Sequence, residues 1–151
     1  MFKKINKEAI LPQAKTAQSA GYDICADKDI VIEAGSTVKI PTGVCLDLGV
    51  NTLKSQKGYF LGLYLRSSLG EKGLILPNGV GVIDIDYKDE IQMIVHNPLK
   101  DGAGYENKSF EIKKSERIGQ LIIQKHYGFE FLDDSYRKKT KRVGGIGSTN
   151  E

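Results

Sequence analysis

The sequence predicts an all-β fold, a sandwich or barrel, and three observations carry that prediction. The apolar residues fall in short runs rich in Val, Ile, Tyr and Phe, turn-forming residues separate the runs, and no window sustains four turns of 3.6-residue amphipathic periodicity. In chain order the strand-like runs are "DIVIE" (29–33), "TVKIPTGVCLDL" (37–48), "YFLGLYLR" (59–66), "EIQMIVHN" (90–97), "RIGQLIIQKHY" (117–127) and "FEFL" (129–132). Between them stand "EAGS", "PTG", "PNG" and "DGAG", whose Gly, Pro and Asn supply the dihedrals that turns require. Alternation sets Phe60, Gly62 and Tyr64 against Leu61, Leu63 and Leu65. The one helical expectation is a short turn over 68–72. At 151 residues the chain is long enough for one domain with a real core. We expect a single β domain over 1–136 and a flexible lid segment over 137–151.

Composition narrows the function classes. Charged residues make up 27% and hydrophobic ones 40%, as in ordinary soluble proteins. A net charge of +3 slightly favours an anionic ligand and falls short of the dense basic face of a nucleic-acid binder. No apolar run reaches signal-peptide or membrane-spanning length, so neither secretion nor membrane insertion is expected. The default expectation is cytoplasmic, with an organelle or a virus-infected cell left open. Cys25 and Cys45 lie in apolar surroundings and read as reduced thiols. With only His96 and His126 available, a His/Cys zinc site is not expected, whereas a hard cation on carboxylate, water and phosphate oxygens fits.

Five stretches are hard to explain as scaffold alone. "SAGYDICA" (19–26) reads locally as a turn entering a strand. "YLRSSLGEKG" (64–73) ends a strand in Arg66, a planar fork for phosphate, followed by the hydroxyls of Ser67 and Ser68 and a glycine-bounded turn. If that turn opens a short helix, its amides favour an anion. "LPNGVGVIDIDYKDE" (76–90) sets Asp84 and Asp86 two apart on one face of an apolar run, with Tyr87 on the other face unless the chain turns there. It reads either as a surface pair at a hairpin or as a general base beside an aromatic wall. "ERIGQLIIQ" (116–124) places Arg117 and Gln120 in an apolar strand, where both need partners. The end, "RKKTKRVGGIGSTNE" (137–151), is either an idle basic tail or a lid that grips phosphate.

Together and in this order, "AGYDI", "RSSLG", "NGVGVIDIDY", "RIGQL" and "RVGGIGST" resemble the five motifs of the trimeric dUTPase family, from position 20 to 149. The resemblance implies a β jelly roll, a homotrimer in which each site draws on three subunits, and a C-terminal tail that crosses to a neighbour. It implies Mg²⁺-assisted hydrolysis of dUTP to dUMP and pyrophosphate, which keeps dUTP low and supplies dUMP for dTMP synthesis. Asp84 then resembles the carboxylate that deprotonates the attacking water, and Tyr87 the ring against the deoxyribose that rejects UTP. The segment 78–92, with Asn78, Gly81, Ile83 and Gln92, is similar to the family's hairpin uracil slot. Arg66, Ser67, Ser68 and Gln120 fall on phosphate-binding positions, and Asp23 on the acidic residue that holds Mg²⁺ through water. In the tail, Arg142 matches the γ-phosphate arginine, with Gly147, Ser148 and Thr149 beside it. No membrane or nucleic-acid partner is implied.

Two positions depart from the family pattern. Ile146 stands where a phenylalanine usually stacks on uracil, so an aliphatic cap worth roughly 1 kcal/mol or more of burial replaces a π face. Asp89 stands where glycine is usual. Two rival functions remain at this point. One is a dCTP deaminase, or its bifunctional form, which shares the "RSS" motif. The other is a regulatory protein that binds nucleotide and a protein partner. The deaminase pattern wants an arginine and a catalytic glutamate where this chain has Glu71 and Ile94.

Overall fold

A computed structural model describes residues 2–47, 58–98 and 109–128. The architecture is an all-β jelly roll. In chain order the strands are β1 (Phe2–Lys4), β2 (Gln13–Ala14), β3 (Tyr22–Cys25), β4 (Ile30–Ile32), β5 (Thr37–Leu46), β6 (Tyr59–Leu65), β7 (Gly81–Asp84), β8 (Glu90–His96), β9 (Phe110–Ile112) and β10 (Arg117–Lys125). A single-turn helix, α1 (Ser67–Glu71), follows β6 and lies one residue earlier than the sequence suggests.

The strands form three antiparallel sheets, in the orders β1-β5-β8, β2-β3-β10-β6-β7 and β4-β9. Period-two alternation decides which side chains meet between them. Leu61, Leu63, Ile118 and Leu121 from the five-stranded sheet are buried against Ile40, Val44, Ile91, Met93 and Val95 from the three-stranded one. Ile32, Phe110 and Ile112 join the same core from the small sheet. Each fully buried aliphatic side chain contributes about 1.5–3 kcal/mol. At Gly119 on β10 a Cβ would stand 2.8 Å from Met93 Cε of the facing sheet and 2.6 Å from the Tyr64 carbonyl of its own. Only glycine fits there, and it sits one residue before Gln120.

One expectation fails. The segment 78–92 is not a paired hairpin, because β7 hydrogen-bonds to β6 while β8 hydrogen-bonds to β5. The chain crosses from one sheet to the other through a turn in which the Tyr87 N–H donates to the Asp84 carbonyl at 3.0 Å. "FEFL" lies outside the described residues. Cys25 is buried, Cys45 is half-buried, and both are free thiols. Burial, with the nearby Asp23 charge, pushes the Cys25 thiol above its ordinary pKa and leaves it unreactive.

Candidate active site

The first cluster forms where β3, β10 and β6 end together. Register pairs Gln120 with Asp23 on one side and with Tyr64 on the other, so the two polar side chains meet across the strands. Asp23 is only 9% exposed and is ringed by donors. Arg117 Nη1 donates to its Oδ2 at 2.8 Å, Gln120 Nε2 donates to its Oδ1 at 3.3 Å, and Arg66 Nε lies 4.0 Å from Oδ1. Burial alone would raise the Asp23 pKa. The hydrogen bonds from Arg117 and Gln120 and the charges of Arg117 and Arg66 outweigh it and hold the carboxyl below its ordinary value. Arg66 closes β6, caps α1 with an extended backbone, and donates weakly from Nη1 to the Arg117 carbonyl at 3.4 Å. Ser67 and Ser68 stand exposed beside it. The result is a cationic rim, Arg66 and Arg117, braced by one buried carboxylate.

The second cluster lies in the crossing between β7 and β8. A cavity of about 240 Å³ is lined by Asn78, Gly81, Ile83, Asp84, Tyr87 and Gln92, together with Leu63, Leu76, Val82 and Ile94. The sequence argument singled out the first six of these, and they converge. The turn after Asp84 ends the strand alternation and brings Tyr87 to the same hollow as Asp84. The same turn separates the two aspartates, because Asp86 lines a different hollow with Lys3, Asp47 and Lys88. Both remain solvent-exposed, as the reading of a surface-facing pair expects. The walls are aliphatic, and Asp84 is the one carboxylate among the lining side chains. Ile94 adds an aliphatic side chain to this wall.

The two clusters do not meet within one chain. Asp84 pairs with Phe60 on β6, and Arg66 lies six positions further along the chain. Six residues of extended strand span about 20 Å. Asp84 and Arg66 therefore stand at opposite ends of β6 in the same copy. Arg142, Ile146, Gly147, Ser148 and Thr149 lie outside the described residues.

For a cation, the described residues offer no group of three or more His, Cys, Asp or Glu side chains. Both Asp23 oxygens already accept hydrogen bonds, so the carboxylate suits an ion that keeps its own water shell and takes most of its ligands from phosphate oxygens. Mg²⁺ has that character. Sequence reasoning missed Arg117 as the partner of Asp23, 94 residues away, although it flagged that Arg117 needed one. It also missed Leu63, Leu76 and Val82 as cavity wall, since an apolar strand residue carries no local sign of lining a site.

Comparisons with known proteins agree on one family. A family model described as dUTPase matches residues 7–150. The deoxyuridine 5'-triphosphate nucleotidohydrolase of Nautilia profundicola is 34% identical over 99% of this chain and 97% of its own length. The one from Desulfitobacterium hafniense is 38% identical over 95% of this chain and 89% of its own length. Among solved structures, a dUTPase from Streptococcus mutans superposes with a TM-score of 0.69 at 30% identity, covering 86% of this chain and 98% of that one.

Proposed function

The chain belongs to the dUTPase family, and from that premise we propose that it hydrolyses dUTP to dUMP and pyrophosphate in a site assembled from more than one copy of itself. The observation that carries the shared site is that Asp84 pairs with Phe60 near one end of β6 while Arg66 follows the other end, six residues or about 20 Å further along the strand. A triphosphate gripped by Arg66, Ser67, Ser68 and Gln120 of one copy needs the Asp84–Tyr87 cavity of another. A closed ring of three copies satisfies this symmetrically. The tail residues Arg142, Gly147, Ser148 and Thr149 would close over the phosphates from a neighbouring copy, with Ile146 capping the base. Residues 1–136 would be the β domain and 137–151 the lid.

Uracil and deoxyribose occupy the cavity between β7 and β8. Its small size and aliphatic wall reject thymine's methyl group by contact, and backbone groups of 78–83 read the base edge. Tyr87 packs on the sugar and leaves no room for a 2′-hydroxyl. Asp84 accepts a proton from a water as that oxygen attacks the α-phosphorus. The new P–O bond forms in line as the bond to the α–β bridging oxygen breaks, and pyrophosphate departs. Arg66 and the serines hold the phosphates in place, since this chemistry is accelerated mainly by positioning and charge neutralisation. Bound Mg²⁺ would neutralise phosphate charge, with Asp23 hydrogen-bonding to its water shell. Asp23 also keeps Arg66, Arg117 and Gln120 aimed. The deaminase pattern wants a glutamate where this chain has Ile94, an aliphatic cavity residue, which favours hydrolysis over deamination.

Pyrophosphate release measured with dUTP, UTP, dTTP and dCTP in the presence of Mg²⁺ tests this reading. Turnover should be confined to dUTP, and Asp84→Asn should lower it about 10²–10⁴-fold with the assembly intact. Comparable turnover of UTP or dTTP would remove the cavity argument, and uracil-containing product from dCTP would restore the deaminase.

A further inference from the structure

Glu90 lies next to the base cavity without lining it, yet its carboxylate and its backbone carbonyl bond to Gln92 and Tyr87, which do line it. Its anchor is a bulge in β5 between Pro41 and Cys45. At the bulge Gly43 adopts φ +68, and a Cβ there would stand 2.7 Å from Ala9 Cβ and 2.8 Å from Asp27 Cγ. This backbone turns the Gly43 N–H onto Glu90 Oε1 at 2.7 Å, while its carbonyl accepts from the Ile5 N–H at 2.7 Å. The other carboxylate oxygen, Oε2, accepts from Gln92 Nε2 at 3.2 Å. The Glu90 backbone carbonyl accepts from the Tyr87 hydroxyl at 3.2 Å.

We propose that Glu90 is the positioning residue for nucleotide discrimination. Its carboxylate, held by the β5 bulge, fixes the Gln92 amide and the backbone on which the Tyr87 hydroxyl is tethered. This rests on the reading of the cavity as the uracil and deoxyribose site. Tyr87 is 39% exposed and lies on a turn, so packing alone does not settle where its ring stands. A ring that excludes a 2′-hydroxyl works only if it cannot yield, and a tether to a fixed carbonyl supplies that stiffness. Glu90 thereby acts on sugar selection without touching the sugar. Because β7 and β8 do not pair with each other, the turn between them has no ladder of its own to hold it, and the β5 bulge takes that role.

The test is the ratio of kcat/KM for dUTP to that for UTP. In Glu90→Ala the ratio should fall about tenfold, chiefly because a yielding Tyr87 ring lets UTP be bound and turned over better. Glu90→Gln keeps an acceptor for the Gly43 amide and a partner for Gln92, and should hold the ratio within about threefold of the starting protein. Tyr87→Phe, which loses only the tethering hydroxyl, should move the ratio in the same direction as Glu90→Ala. A merely structural role would lower turnover of both nucleotides by one factor and leave the ratio unmoved, which overturns the proposal. Should Glu90→Ala fail to fold, Tyr87→Phe decides, and an unchanged ratio there is equally fatal. Failure of the underlying reading looks different, since the unsubstituted protein would then show no preference for dUTP over UTP.

Discussion

Two inactive variants should restore each other when mixed. Asp84→Asn removes the proposed proton acceptor and Arg66→Ala the proposed phosphate fork, and each alone should cost about 10²–10⁴ in turnover. The two residues stand at opposite ends of β6 on one copy, offset by about 20 Å along the strand, and under the shared-site proposal they serve different sites. In a cyclic trimer a working site then needs an intact Arg66 from an Asp84→Asn copy and an intact Asp84 from its Arg66→Ala neighbour. With equal amounts and random assembly, about one half times one half of the sites qualify, or about a quarter of normal activity. The assay is pyrophosphate release after the two variants are unfolded and refolded together, with the unsubstituted protein taken through the same cycle as reference. Activity that stays at the mean of the two separate variants would refute the shared site, because a site built within one chain gains nothing from mixing.

Two further predictions follow from other features. Arg117→Met removes the strongest partner of a buried carboxylate, and should cost about 1–2 kcal/mol near neutral pH, a figure reduced because Arg117 is partly exposed. The sign follows from the lowered Asp23 pKa: stability gained from the ionised form is present above the unfolded carboxyl value of about 3.9 and lost as pH falls through the folded one. The gap between the two proteins in urea denaturation should therefore close in acid, and a gap that widens there would contradict it. Ile146→Phe should tighten a non-hydrolysable dUTP analogue by up to about tenfold, or leave it unchanged, as an added π face on uracil would. A marked loss in calorimetric affinity would mean that the cap is built around an aliphatic side chain.

Long strands were legible because β-branched and aromatic runs announce them, and β5, β6, β8 and β10 lie where those runs stand, as does the three-residue β4 inside the β-branched run "DIVIE". The edge strands β1, β2 and β9 were not, since two or three residues carry no period and exist only through their partners. The bulge at 41–45 was hidden inside one apolar run, although Pro41 and Gly43 mark it in retrospect. Pairing was the real blind spot. β7 and β8 follow each other closely, and proximity suggested a hairpin, but the partner of a strand is chosen by side-chain faces elsewhere in the chain. In the site, the ordered motifs singled out six of the cavity residues, Asn78, Gly81, Ile83, Asp84, Tyr87 and Gln92, and also Asp23 and Gln120. Glu90 and Arg117 escaped because each acts through a neighbour that only the folded register supplies.

Strand β6 also behaves as a ruler. It carries the Asp84 partner near one end and Arg66 just past the other, so its length sets the offset between the two proposed half-sites. One inserted residue would turn the outward row of side chains into the core. Two would restore the faces but displace the half-sites by about 7 Å, and a ring of copies would then close with its catalytic carboxylates out of register with the phosphates. Length changes should therefore be tolerated in the connecting loops and forbidden within β6, a constraint on this strand that neither its burial nor its composition reveals.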